Sequence, residues 1–318
     1  MITQTQDLSI SIVIPVYNSE DCLNELSLRL NDVLDRIGKD YEIILVNDSS
    51  QDNSWREIVK LCEKYIRIKG ISLRKNFGVD NALMAGINYA RGEIIILMDD
   101  DLQHDPADIP YLLNGLERGN DVCYGKFFSM KQSRFKKLGS WVNDKFANII
   151  FDKPKYLYLS GYKAIKREII DEIIKYDGPY PYIDGLVLRV TRNITQEDLH
   201  HNKRYAGKGN YNLKKSIKIW LKMATSFSVL PLRFATFLGF MSSSMGFMLS
   251  ILLFFQYFIG EKAPPGWFTL VMVIIFLGGI QLITIGIIGE YIGRSFLHLN
   301  KNPQFVVDEI IGGLSSDS

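Results

Sequence analysis

Short apolar runs alternate with helix-period segments through the first two-thirds of the chain, and two long uncharged stretches follow. The runs are SISIVIP (9–15), YEIILV (41–46), RIKGISL (67–73), EIIILM (93–98) and DVCYG (121–125). Between them the spacing predicts helices over 19–37, 52–65 and 78–90, and a further helix opening at Pro106. The runs are continuous and do not alternate apolar with polar, so they read as strands buried on both faces. That pattern predicts an α/β unit with a mostly parallel sheet covered by helices.

The second pattern begins after residue 222. Residues 234–259 and 266–289 carry no formal charge, and only GEKAPP (260–265) separates them. Each stretch exceeds the roughly 20 residues a helix needs to cross a bilayer. Two transmembrane helices joined by a tight hairpin are therefore expected. Lys203, Arg204, Lys208, Lys214, Lys215, Lys218, Lys222 and Arg233 precede them, Arg294 and Lys301 follow, and the hairpin holds only Lys262 beside Glu261. The positive-inside bias puts both termini and the N-terminal unit in the cytoplasm, at an inner or plasma membrane. In 212–230, Leu213, Ile217, Trp220, Leu221 and Ala224 fall at helical spacing among the lysines. This reads as a basic amphipathic helix at the membrane surface; a core-facing helix is the alternative. The organisation expected is a cytoplasmic domain over 1–211, the interfacial helix over 212–230, a membrane hairpin over 231–295 and a tail over 296–318. The tail's FVVDEIIGGLSSDS reads as a short strand or helix.

Composition narrows the function. The chain has 318 residues, 37 basic and 35 acidic, for a net charge of +2. So balanced a chain is no general polyanion binder, and no nucleic-acid partner is expected. Cys22, Cys62 and Cys123 have no C-x-x-C spacing and read as reduced thiols. The N-terminus lacks the basic n-region of a secretory signal.

Ligands of parallel sheets sit outside the carboxyl ends of the strands. Those ends carry PVYNSED, NDSSQDNS, RKNFG and DDDLQHDP, all polar. Neither G-x-G-x-x-G nor G-x-x-x-x-G-K-[ST] is among them, which disfavours a dinucleotide cofactor and a P-loop triphosphate. Asp99, Asp100 and Asp101 repel one another unless a cation sits with them. A hydrated Mg²⁺ or Mn²⁺ on Asp101, with Asp99 reaching metal or nucleotide, makes the run favourable and bridges to a diphosphate. Some of these residues have plainer readings. Asp48 caps the next helix or meets a ligand; Asp105 caps the helix that Pro106 opens; His104 is a ligand or a turn histidine bonded to backbone. Asp184, in YPYIDGLVLRVTR (180–192), is an acid near the reaction or a helix cap.

Taken together, P-V-Y-N after a strand, a strand ending in N-D-S-S, R-K-N-F-G and M-D-D-D-L-Q-H resemble the inverting family-2 glycosyltransferases of GT-A fold. With the C-terminal spans, the chain most resembles the polyprenyl-phosphate glycosyltransferases, from about residue 9 to about residue 295. The resemblance implies a GT-A, Rossmann-like cytoplasmic domain, then an amphipathic interface helix and two transmembrane helices. It implies a nucleoside-diphosphate sugar donor, a UDP-sugar first, and a polyprenyl-phosphate acceptor. The product would be a polyprenyl-phosphate-linked sugar for envelope glycan or protein glycosylation.

Carried over, Pro15, Tyr17, Glu20 and Asp48 face the donor's base and ribose, and Asp99, Asp100 and Gln103 the rest of the donor. Asp101 and Asp99 hold the metal. SGYKAIKRE (160–168) matches an S-G-F-R-x-x-x-R element, with Lys163 in place of arginine. HNKRYAGKGNY (201–211) matches a loop closing on donor and lipid phosphate, with Gly209 in place of serine. Arg134, Lys163, His201, Arg204 and Lys208 are the expected acceptor-phosphate contacts. Asp99, Asp101, Asp184 and Arg204 form the expected catalytic set. A homo-oligomer is expected on packing grounds, because two spans make a small bundle. The rival readings are a processive glycan synthase, for which a Q-x-x-R-W element is missing, and an inactive sugar-nucleotide-binding scaffold.

Overall fold

A computed structural model of the chain describes residues 9–127, 154, 156–199, 230–259, 266–300 and 302–313. Arg134, the 201–211 loop and the expected interfacial helix up to residue 229 lie outside them.

The first unit is built on an eight-stranded sheet ordered β7-β5-β6-β4-β1-β2-β3-β8. The strands are β1 (Ile10–Val16), β2 (Tyr41–Asn47), β3 (Ile68–Leu73), β4 (Ile94–Leu97), β5 (Val122–Phe127), β6 (Lys163–Lys166), β7 (Ile194–Leu199) and β8 (Val307–Gly312). β4, β1, β2 and β3 are parallel, and every residue of β1, β2 and β3 is buried. That two-sided burial is why their sequences are continuous apolar runs.

Helices α1 (Glu20–Ile37), α2 (Ser54–Lys64), α3 (Val79–Tyr89) and α4 (Ile109–Glu117) follow the first four strands. α1 buries Leu23, Leu26, Leu30 and Leu34 at three- and four-residue steps and stops at Gly38, whose φ of 72° is left-handed. α3 lies so close to the sheet that a Cβ on Gly86 would fall 2.2 Å from Val13 Cγ1. The helix expected at Pro106 starts as a 3-10 turn over Pro106–Asp108. Asp105 caps it, its carboxylate accepting the Ala107 N–H at 3.0 Å.

The sheet is less parallel than its apolar runs imply. β6 is antiparallel to both β4 and β5, and β8 is antiparallel to β3. β6 is the four residues KAIK and β7 reads ITQEDL, so neither has the apolar run that marks the central strands. α5 (Arg167–Ile173) and α6 (Ile183–Val190) also belong to this unit.

The chain divides into two compact units, Met1–Asn210 with Lys301–Ser318, and Tyr211–Asn300. The tail therefore belongs to the first. The Gln304 amide donates to the Tyr176 carbonyl, the Arg74 N–H donates to Val306 O at 3.0 Å, and β8 then zips along β3. The second unit contains α7 (Leu230–Ile259) and α8 (Trp267–Leu299). Among the described residues, one segment, Phe276–Leu297 with mean hydropathy 1.5, is long and apolar enough to cross a membrane. Large apolar side chains on both helices are exposed, among them Phe240, Phe247, Leu270, Ile274 and Leu282.

Candidate active site

The loops after β1, β2, β3 and β4 meet at the carboxyl edge of the sheet, and backbone-to-side-chain hydrogen bonds knit them together. After β1, the Asn18 N–H donates to Ser50 Oγ at 3.1 Å, and Asn18 Oδ1 accepts the Gln51 N–H at 2.8 Å. The Ser19 N–H donates to Ser54 Oγ at 2.9 Å. Glu20 bonds both Asp52 and Asn53 across the two loops. The Glu20 N–H reaches Asp52 Oδ2 at 3.2 Å, and the Asn53 N–H reaches Glu20 Oε2 at 2.8 Å. The Glu20 carboxylate is thus turned onto the second loop. Pro15 is buried in β1, and the Tyr17 ring is exposed.

Asp48 does not cap α2. It lies buried at the end of β2, where its two oxygens accept the N–H groups of Phe77 at 2.7 Å and Gly78 at 2.9 Å. Burial raises its pKa, and those two bonds work in the opposite direction. It therefore braces the RKNFG loop after β3.

The acidic turn follows β4. Asp99 leaves the strand with its side chain half exposed. Asp100 accepts the Tyr17 N–H at 3.3 Å, which ties this turn to the first loop. Burial lifts its carboxyl to about 6; hydrogen bonds from Ser19 and Tyr17 oppose the rise, and Asp99 and Asp101 add to it. Asp101 Oδ1 accepts the Gln103 N–H at 3.1 Å in an Asx turn. Leu102, between them, is buried with φ at 59°.

Among the described residues, the non-glycine residues with positive φ are Asn18, Ser49 and Leu102, following β1, β2 and β4. Asn tolerates this region; a leucine there is strained. Strain gathered at one end of a sheet makes that end the candidate functional one.

His104 is buried against Phe127 and Tyr162, with ring centroids 5.3 and 5.0 Å away and planes within 13°, and those two rings lie 6.4 Å from each other. Its Nδ1 accepts the Asp99 N–H at 3.0 Å. An acceptor Nδ1 places the ring proton on Nε2, so the 3.7 Å approach of Nδ1 to Asp99 Oδ2 is no salt bridge. Of the two readings of this histidine, the structure shows the one bonded to backbone. The SGYK element packs against the same turn. A Cβ on Gly161 would lie 3.1 Å from Asp99 Oδ2 and 3.2 Å from His104 Cε1, and the Tyr162 hydroxyl donates to Asp105 O at 2.9 Å.

Asp184 sits in the first turn of α6, after Tyr182 at the cap position, and makes no cap bond. It gathers donors instead, from the Lys163 ammonium, the Tyr124 hydroxyl at 2.9 Å and Tyr182. Lys163 is 3% exposed, and its ammonium also lies 5.0 Å from the Tyr124 ring centroid. The lysine expected at an acceptor phosphate is thus engaged by Asp184 inside the fold. Burial first, and Asp184 second, push the Tyr124 and Tyr182 phenols well above their ordinary pKa.

Tyr124 and Tyr182 are the parts of this site that sequence reading passed over. Tyrosines beside apolar residues read as core, and only the SGYK motif pointed to this neighbourhood.

Asp99 and Asp101, with the Gln103 amide beside them, are oxygen donors of the kind that hard divalent cations take. Among the described residues no cluster of three or more His, Cys, Asp or Glu surrounds one point. Two carboxylates suit a cation that shares its coordination with a ligand's phosphates. Arg134, His201, Arg204 and Lys208 lie outside the described residues.

The Glycosyl transferase family 2 profile matches residues 11–174, from the second residue of β1 through β6, the acidic turn included. The chain is 31% identical over 317 residues to an uncharacterized glycosyltransferase, YkcC, of Bacillus subtilis, covering 97% of this chain and 96% of that one. It is 30% identical, with the same coverage, to the undecaprenyl-phosphate 4-deoxy-4-formamido-L-arabinose transferase of Aeromonas hydrophila. A solved glucosyl-3-phosphoglycerate synthase of Mycobacterium tuberculosis, in complex with Mn²⁺, UDP and glucosyl-3-phosphoglycerate, superposes with a TM-score of 0.51 at 17% identity. That match covers 69% of this chain and 80% of the other, and shows a shared fold. A strained, acid-bearing sheet edge inside the matched region and relatives aligned over nearly the whole length lead to one conclusion: the chain belongs to glycosyl transferase family 2 and is a glycosyltransferase.

Proposed function

We propose that the protein transfers a single sugar from a nucleoside-diphosphate sugar, a UDP-sugar in the first instance, to a polyprenyl phosphate, with inversion at the anomeric carbon. The observation that carries this reading is the acidic turn Asp99–Asp101 at the carboxyl edge of the parallel strands, tied by Asp100 to the loop after β1. A relative aligned over 97% of the chain is named for undecaprenyl phosphate, and a protein of the same fold has been solved with Mn²⁺ and UDP.

In this reading the loops after β1, β2 and β3 receive the nucleoside, with Tyr17 as the exposed ring and Asp48 holding the RKNFG loop open for it. Asp99 and Asp101 would hold Mg²⁺ or Mn²⁺, which when bound supplies Lewis-acid stabilisation of the departing diphosphate. The acceptor phosphate is already ionised near neutral pH, so the site has little need of a strong base. Its work is to hold two anions together, and Arg134, His201, Arg204 and Lys208 are the cationic candidates for that. Lys163, engaged by Asp184, is left out of that set.

The exposed apolar side chains of α7 and α8 support a membrane-spanning pair, with basic residues 203–233 on the cytoplasmic side. A homo-oligomer would cover more of that apolar surface than one helix pair does.

The test incubates membranes containing the protein with labelled nucleotide sugar, Mg²⁺ and polyprenyl phosphate. Label extractable into organic solvent is expected. No labelled lipid with any common donor would overturn the transfer reading, and long polymer would identify a processive synthase. Asp101→Asn should abolish metal-dependent turnover in a folded protein, and wild-type rates in that variant would displace the metal from this turn.

A further inference from the structure

At the end of β4 the sheet ladder is completed by a side chain. The Met98 N–H donates to Val13 O at 3.3 Å, on the β1 side. By strand alternation the next N–H, that of Asp99, faces β6. The β4–β6 register runs from Ile94 opposite Lys166 to Leu97 opposite Lys163, so it would set Asp99 opposite Gly161. The Asp99 N–H is instead taken at 3.0 Å by His104 Nδ1, five residues further along the same turn. The ring is held in place by the stack with Phe127 and Tyr162, and Gly161 leaves room for both the ring and the Asp99 carboxylate.

We propose that His104 is a positioning residue. As a neutral acceptor for the Asp99 N–H, it closes the acidic turn into the shape that presents Asp99 and Asp101 to a metal-bound nucleoside diphosphate. The proposal rests on the donor-site reading above. Packing alone does not account for the arrangement, because a stacked phenyl ring would fill the same slot. The specific requirement is an acceptor at the Nδ1 position. That acceptor locks a turn strained at Leu102, where the left-handed backbone has no glycine to relieve it.

Two substitutions separate the acceptor from the ring. His104→Phe keeps the stack and loses the acceptor. His104→Asn loses the ring and keeps an acceptor, since asparagine Oδ1 occupies the place of Nδ1. The full-length protein in detergent is titrated with Mn²⁺ in the presence of UDP, and bound Mn²⁺ is read by electron paramagnetic resonance. Amide exchange across 99–104 is followed without metal or nucleotide.

Groups that orient metal ligands change metal affinity by about 10- to 100-fold when removed. His104→Phe should weaken Mn²⁺–UDP binding by that factor and speed exchange of the Asp99 amide, and His104→Asn should recover most of both. Wild-type binding and exchange in His104→Phe would overturn the proposal. So would a His104→Asn protein as impaired as His104→Phe, because an acceptor in the place of Nδ1 would then fail to restore the turn. Absence of Mn²⁺–UDP binding by the wild-type protein would overturn the donor-site reading and this proposal with it. Unchanged binding in His104→Phe overturns the role of His104 alone.

Discussion

Lys163→Met isolates the buried ion pair behind the site. Lys163 is 3% exposed, and the Asp184 side chain is 14% exposed, so neither charge is well hydrated. Removing one member of such a pair leaves the other buried and uncompensated, which costs about 3–5 kcal/mol. Asp184 would keep the Tyr124 hydroxyl at 2.9 Å and its bond with Tyr182, which places the loss near the lower end, about 3 kcal/mol. For a domain of this size each kcal/mol moves the melting temperature by about 2–4 °C, so a drop of about 6–12 °C is expected. The assay is thermal unfolding of the full chain in detergent, followed by near-ultraviolet circular dichroism. Lys163→Met/Asp184→Asn removes the stranded charge but leaves an oxygen for both tyrosines, and it should recover at least half of the loss. A shift below about 2 °C in Lys163→Met, or a double variant as unstable as the sum of the singles, would refute the buried pair.

Asp100 predicts a pH signature in metal-free protein. Its folded pKa of about 6 lies above the ordinary carboxylate value, so the fold favours the protonated acid. That contribution is fully present below about pH 4 and is lost as pH rises through about 6. Asp100→Asn should therefore melt higher than wild type at pH 7.5, with the gap closing toward pH 4; a gap independent of pH would count against it. Gly86→Ala should destabilise by about 1–3 kcal/mol, because its Cβ would overlap Val13 Cγ1 at 2.2 Å; an unchanged melting temperature would mean that α3 shifts freely. Truncation before Val306 should raise the dissociation constant for UDP in calorimetry, since Arg74 loses its bond to Val306 O and the loop after β3 loses its neighbouring strand; unchanged affinity would make the tail dispensable. Asp308→Ala alone should cost no more than about 0.5 kcal/mol, because its pair with Arg74 is exposed; a larger drop in melting temperature would contradict that.

By itself the sequence determined the central strands and the helices between them. Two-sided burial writes itself as uninterrupted apolar runs, and helix packing as a 3.6-residue period, and both are local signals. The same pattern located the loops at one edge of the sheet and singled out the acids of 99–101. Tertiary structure decided what those loops do to one another. That Asp48 holds Phe77 and Gly78, that Glu20 turns toward Asn53, and that Lys163 is consumed by Asp184 are pairings across 21 to 33 positions of chain. No local period encodes such pairings. The short strands were equally hidden. KAIK pairs with β4 and β5 at positions set by the sheet rather than by its own composition, and β8 needs the exposed edge of β3 before it is a strand at all. An apolar residue carries its fate in its own transfer free energy, whereas a polar residue in a site acquires its role from the partner that folding brings to it.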